Sequence, residues 1–525
     1  MSEKNQPSTA RSSGKIMLAI FGSRILGLVR EIVLSAIFGP SLELDALKVA
    51  FRIPNLLRDL FAEGALSTAF VTTFSQTLTR DGKAAAFRLA NLVLTALVIS
   101  LGLITLAGIL GSDWIVRTMT PGFLSHPGKV ELTVQLTQIM FPFILFVSLA
   151  ALYMGLLNSL GSFGLPASAS TAFNVVSILV GAAMGYCFDH HFGPKSIFGF
   201  AIGVLLGGVA QLLIQMPRAR QYGYHLRWVW APRDPGLRKV LILMAPAVIG
   251  GSAVQVNVLV NSYFASFFGN GAVTWLDNAF RLMQLPIGMF GVAISMVTLP
   301  SVSRSAARDN LVEFRHKLQE GLRHMFFLVV PASVGLALIS RPLVAALFQR
   351  HFYTAADAAQ TAQILQYYTL GLAGYAAIKV LAPAFYALDL PRIPLQVSLG
   401  GIALNICANL FFLKVLHWGL ISLPLSTSLV ALFNCLQLVW YLRKPVGSMT
   451  DRPFLTALAK ILLATAVMAA VLWLVHPLLR HRAFVLQVAV LCLCGGAAYF
   501  SSAWLLRLEE VKDLATLLQR RLVRR

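Results

Sequence analysis

Charge is what this sequence has least of. Only 12% of its 525 residues are Asp, Glu, Lys or Arg, and the 21 acidic residues are about half as many as the 43 basic ones. With 57% hydrophobic positions and a mean hydropathy of +0.74, the composition excludes an ordinary soluble globule, and no polar stretch is long enough to build a separate soluble domain. Cysteine is sparse as well. Cys187, Cys407, Cys435, Cys492 and Cys494 fall in or beside apolar runs, in no disulfide or metal spacing, and read as packing residues. The phosphate-binding loop GxxxxGK[ST] is missing, so the chain carries no ATP engine of that kind. His190 and His191 have no ligand pattern around them, and neither a metal nor another cofactor is expected.

What the chain does have is apolar runs of about 20 residues, the length of a helix that crosses a hydrocarbon core of roughly 30 Å. They predict an all-α integral membrane protein with spans near 16–37, 44–75, 87–110, 132–158, 166–187, 197–216, 239–267, 273–300, 323–340, 360–388, 393–413, 419–442, 457–475 and 484–506, 14 in all. An even number puts both termini on one side. With charges at span ends counted in the adjoining connection, that side holds 28 Lys and Arg against 8 on the other, which assigns both termini to the cytoplasm. The net charge of +22 then reflects orientation and anionic headgroups, not nucleic acid. The start MSEKNQPSTARSSGK lacks a convincing cleavage site, and the first apolar run contains Arg24, Arg30 and Glu31; it reads as a retained span.

An internal echo organises these spans. Ala50-Phe51-Arg52 reappears as Ala279-Phe280-Arg281 and Phe61 as Phe290; each copy follows an FG turn, has a proline soon after the arginine, and runs in the same direction. A parallel pseudo-twofold duplication of a six-span unit gives this pattern. The expected organisation is a cytoplasmic tail 1–15, an N-lobe 16–216 (spans 1–6), a basic linker 217–238 and a C-lobe 239–442 (spans 7–12). A cytoplasmic loop 443–456, two extra helices in 457–506 and a basic tail 507–525 complete it. Two repeated lobes able to rock about a central cavity are a transporter architecture.

Seven basic residues remain inside spans: Arg24, Arg30, Lys48, Arg52, Arg58, Arg281 and Lys379. At about 100° per residue, Asp45, Arg52, Asp59 and Glu63 share one stripe of span 2, with Lys48 about 60° away and Arg58 about 140° off, beyond Pro54. On span 1, Arg24, Gly27 and Glu31 share a face; on span 8, Asp277, Arg281, Gln284, Gly288 and Gly291 do. Charge facing lipid costs several kcal/mol, so the cluster is expected to face a hydrated cavity between the lobes. Internal pairing with Glu31, Asp45, Asp59, Glu63 and Asp277 accounts for part of it, yet the seven cations outnumber these acids. Arginine donates paired hydrogen bonds and keeps its charge, which suits a phosphate or diphosphate ligand.

GSRILGLVRE (22–31), PNLLRDLFAEGALSTAFV (54–71), AFRLMQLPIGMFGVA (279–293) and KVLAPAFYA (379–387) closely resemble the MurJ/MviN family, lipid II flippases of the multidrug/oligosaccharidyl-lipid/polysaccharide exporter superfamily. The resemblance covers about residues 15–505. It implies a multi-pass protein of the bacterial cytoplasmic (inner) membrane that flips undecaprenyl-diphosphate disaccharide pentapeptide to the outer leaflet for peptidoglycan synthesis and cell shape. It implies essential arginines at Arg24, Arg30, Arg58 and Arg281, in a cavity whose polar lining includes Ser23 and the carboxylates Asp45 and Glu63. It also implies a groove for the prenyl tail on spans 13 and 14. Lipid II, membrane lipids and the peptidoglycan-synthesis machinery are the expected partners, with the monomer as working unit.

Three departures stand out. Glu31 replaces the family's usual Asp; AFRL replaces ADRL on span 8, leaving Asp277 as the nearest acid to Arg281; and spans 7 and 11 offer Gln255, Asn257, Asn261, Asn405 and Asn409 in place of sodium-binding carboxylates. Sodium coupling is therefore not expected, and the membrane potential is the candidate driving force for alternating access. Exporters of O-antigen-type lipid-linked oligosaccharides and drug antiporters are the nearest rivals, but antiporters favour acidic cavities and the PNLLR motif is against both. A polyprenyl-phosphate enzyme would need a catalytic loop rich in carboxylates, and the connections here are short and acid-poor.

Overall fold

The computed structural model describes residues 9–59 and 66–511, with side chains from residue 22 on, apart from 67–68 and 245–254. Among the described residues every regular element is helical. Among the described residues ten helices are long and apolar enough to cross a membrane, eleven if Ala355–Thr369 and Leu372–Ala387, bent by 45°, form one broken span. The helices at the expected first, second and seventh spans are outside that set; the first two carry the charges singled out above. The chain divides into two compact units, one ending at Thr274 and the other starting at Trp275.

The first unit contains α1 (Thr9–Phe38), α2 (Leu42–Arg58), α3 (Ser67–Arg80), α4 (Gly82–Leu110), α5 (Ser112–Met119), α6 (Lys129–Met140), α7 (Phe143–Ser159), α8 (Gly164–Phe188), α9 (Ile197–Leu213), α10 (Met216–Gln221) and α11 (Pro235–Ala265). The sequence placed α11 in the second lobe, whereas it packs on α3 and α4 of this unit. The expected fourth span is broken between α6 and α7 at Phe141-Pro142, where proline removes an amide donor and its ring crowds the preceding turn. Glycines let α8 and α9 touch backbone to backbone: a Cβ on Gly203 would lie 2.7 Å from the Gly181 backbone, and one on Gly199 would overlap the Gly185 nitrogen. Where lipid is as apolar as the side chains, such close approach supplies the attraction.

The second unit follows the first turn of α12 (Ala272–Pro286). Pro286 leads into a π-turn at Ile287–Gly291, then come α13 (Val292–Ala307), α14 (Leu311–Leu338), α15 (Ser340–Phe348), α16 (Ala355–Thr369), α17 (Leu372–Ala387), α18 (Arg392–Leu410), α19 (Ser422–Val446), α20 (Arg452–Leu478) and α21 (Phe484–Leu505). Helix α14 starts twelve residues before the expected span at 323, because Asn310 Oδ1 caps the Glu313 amide at 3.0 Å and the charged first turns continue the helix into water. Small residues again set the close contacts: a Cβ on Gly371 would sit 2.5 Å from Ser428 Cα, and one on Gly374 2.8 Å from the Ala431 carbonyl oxygen. The α20–α21 pair packs on α14 through Phe327, Ile461, Ala464 and Tyr499, whose hydroxyl donates to the Phe327 carbonyl at 2.6 Å.

Candidate functional site

The polar stripe of α2 is a heptad series in which Asp45, Arg52 and Asp59 each meet a partner in the first unit. Arg52 Nη1 donates to Ser262 Oγ, and Gln255 Nε2 donates to Asp59 Oδ2 at 3.0 Å. Gln255 and Ser262 are themselves seven residues apart on α11, so two polar rows run antiparallel to each other. At the other end the Asp45 carboxylate accepts from the Gly271 amide at 2.8 Å, the Thr274 amide at 2.9 Å, Thr274 Oγ1 at 2.8 Å and Lys129 Nζ at 3.0 Å.

This corrects the expectation that Asp45 faces water. The side chains of Asp45 and Lys129 are both 0% exposed. Lys129 Nζ also donates to Asn270 Oδ1 at 3.0 Å and lies 4.2 Å from the centroid of the Phe123 ring. The physical reason is full compensation: two charges and their polar neighbours satisfy one another, which is the condition for burying them. The sequence reading counted Lys129 as a loop cation. Nothing local to GKVELT marks it otherwise, because its partner Asp45 lies 84 residues away.

A second buried cluster joins spans 1 and 2. Glu31 stands between two cations, with Arg30 Nη2 at 3.2 Å and Lys48 Nζ at 3.3 Å. The Arg30 guanidinium also lies over the rings of Phe51 and Phe173, at 5.6 and 5.2 Å from their centroids. Arg30, Glu31 and Lys48 are 7%, 3% and 8% exposed. The aromatic partners were not foreseen, although Phe51 stands beside Arg52 in the repeated Ala-Phe-Arg element.

The remaining expected residues are accessible. In the first unit Arg24 is exposed and Ser23 half-buried; Arg58 pairs with Asp59 at 2.8 Å and its side chain is 21% exposed. Although 140° from the stripe by helical geometry, Arg58 is thus drawn to the stripe's last carboxylate, where α2 ends. In the second unit Arg281 pairs with Asp277, one turn earlier, at 3.3 Å and its side chain keeps 35% of its exposure. Gln284 and Lys379 are exposed. Glu63 lies outside the described residues. Asn405 and Asn409 are buried and bonded to each other at 3.1 Å. Among the described residues no group of three or more His, Cys, Asp and Glu is placed to hold a metal ion. The accessible side chains are cationic donors of the kind that bind oxyanions.

Helix α2 runs through Pro54 to Arg58, and α12 runs to Pro286 and leaves α-geometry for the π-turn at 287–291. Such bulges recur at functional positions in helices.

A family model described as lipid II flippase MurJ matches residues 34–493. A lipid II flippase MurJ of Burkholderia cenocepacia is 37% identical over 426 residues, which is 80% of this chain and 81% of the relative. Among solved structures, "Lipid II flippase MurJ, inward closed conformation" superposes with a TM-score of 0.78 at 25% identity, over 95% of this chain and 99% of the other. A multidrug resistance MATE family transporter of the MOP superfamily, in an inward-facing conformation, shares the fold with a TM-score of 0.70 at 16% identity, over 81% of this chain and 95% of the other.

Proposed function

Since the chain belongs to the lipid II flippase MurJ family, we propose that it carries lipid II from the inner to the outer leaflet of the bacterial inner membrane, for peptidoglycan synthesis. It is a transporter and not an enzyme. In this reading Arg24, Arg58 and Arg281 hold the substrate's diphosphate, and Gln284 and Lys379 flank it. Arg30, with Glu31 and Lys48, braces the helix that carries Arg24. The full topology is 14 spans, six plus six in parallel repeat and two more in 457–506, with both termini cytoplasmic and a monomer as working unit.

One observation carries the site assignment: Lys379 is exposed in the otherwise apolar α17, Arg24 is exposed midway along α1, and Arg281 is partly exposed on α12. A cation against lipid at that depth costs several kcal/mol, so accessible cations there line water that an anion can enter. The chain's own residues then drive the cycle by alternating access. The arginines neutralise the diphosphate on entry from the cytoplasmic leaflet, and release follows when the site opens outward. An inside-negative potential favours outward movement of the anion and inward return of the empty, cationic site.

The test is replacement of Arg281 by Ala in a strain depleted of its own flippase. Growth rescue is expected to fail while the variant's amount in the membrane matches the unaltered chain. Rescue equal to that of the unaltered chain would remove Arg281 from the site.

A further inference from the structure

The segment between α10 and α11 has no regular structure, yet it is tied down at every second residue. Asn91 on α4, 4% exposed, donates to the His225 carbonyl at 3.1 Å and accepts from the Arg227 amide at 3.1 Å and the Tyr224 hydroxyl at 2.8 Å. One turn later Thr95 Oγ1 accepts from the Val229 amide at 3.2 Å. Tyr224 anchors the near end, buried edge-on against Phe87 and Tyr153; burial raises its hydroxyl far above the usual range, so it stays a donor.

Bonds at 225, 227 and 229 are those of an extended chain, in which the alternate residues share a face. Those residues are Leu226, Trp228 and Trp230, and they stand 44%, 66% and 62% exposed. Arg218, Arg220, Arg227 and Arg233 flank them in sequence, all exposed. Residues 218–233 contain no acid, and the next in sequence, Asp234, is engaged in capping α11 through the Gly236 amide at 2.8 Å. A strap held this firmly cannot fold its tryptophans inward. The chain thus presents two indoles outward just beyond the candidate membrane span Pro194–Gln221, with Arg227 and Arg233 beside them in sequence and Arg218 and Arg220 at the span's end.

We propose that residues 218–233 form a docking surface for anionic glycerophospholipids, with Trp228 and Trp230 seated at headgroup depth and Arg227 and Arg233 on the phosphodiesters. Indole rings partition to the membrane–water interface, and each basic residue near an anionic surface strengthens binding about fivefold. This surface is separate from the residues assigned to lipid II.

Purified full chain is titrated with dioleoyl-phosphatidylglycerol and with dioleoyl-phosphatidylcholine, and bound lipid is counted by native mass spectrometry. Phosphatidylglycerol is expected to bind at least about tenfold more tightly than phosphatidylcholine. Arg227→Gln/Arg233→Gln removes that preference, Trp228→Ala/Trp230→Ala weakens both lipids, and Arg227→Lys/Arg233→Lys keeps the preference. Melting temperatures equal to that of the unaltered chain show that these exposed positions leave the fold alone. Unchanged phosphatidylglycerol binding in the Gln variant, equal binding of the two lipids by the unaltered chain, or displacement by equimolar inorganic phosphate overturns the proposal. Growth rescue through Arg281 is read separately, so either reading can fail alone.

Discussion

Removing Lys129 leaves the Asp45 carboxylate without its cation where water does not reach, and removing Asp45 leaves the Lys129 ammonium without its anion in the same place. Lys129→Met and Asp45→Asn are each expected to cost about 3–5 kcal/mol, and the double variant clearly less than their sum. Thermal unfolding of the four proteins measures this, and simple additivity would contradict the pairing. Arg24 and Arg30 differ in kind. Arg24→Ala should abolish growth rescue with stability changed by less than about 0.5 kcal/mol, because the side chain is exposed. Arg30→Ala should lower the melting temperature as well, since it leaves Lys48 and Glu31 in a cavity beneath Phe51 and Phe173. An unaltered melting temperature for Arg30→Ala would count against its bracing role. At this scale the sequence made the in-span arginines and Asp277 legible, because charge in an apolar run is visible locally. Lys129, Ser262, Phe173 and the pairing of Gln255 with Asp59 are not, because the partners lie far apart along the chain and neither composition nor period links them.

Helix positions were legible from hydropathy; their breaks and contacts were less so. The interruption at Phe141-Pro142 and the 45° bend between α16 and α17 sit inside runs that remain apolar throughout. The early start of α14 lies in a charged stretch that hydropathy ignores. Glycine packing of α8 on α9 gives the element scale its own test. Gly199→Val should destabilise the first unit by several kcal/mol or abolish accumulation, because the added atoms overlap the Gly185 backbone. Gly102→Ala, with nothing within 4 Å of the new methyl, should leave unfolding unchanged or slightly raise it. Similar melting curves for the two variants would refute the backbone-to-backbone contact. The repeated Ala-Phe-Arg element is legible as sequence, because both copies keep the same residues and a following proline.

For the whole molecule, the drive proposed above is the membrane potential. An elementary charge crossing 100 mV is worth about 2.3 kcal/mol, roughly fiftyfold in an equilibrium. Collapsing the potential in cells that depend on this chain should sharply reduce lipid II on the outer leaflet, whereas replacing external sodium by potassium at constant potential should not; the reverse pattern would establish sodium coupling. That packing groups residues up to Thr274 in one compact unit and those from Trp275 in another is not legible in sequence, because compactness depends on contacts between distant segments. The central claim is that this chain moves lipid II between leaflets, and its most direct test is a leaflet-resolved assay of lipid II in a strain whose only flippase is this chain, before and after depletion. Lipid II should disappear from the outer leaflet and accumulate on the inner one; a distribution unaltered by depletion would contradict the account.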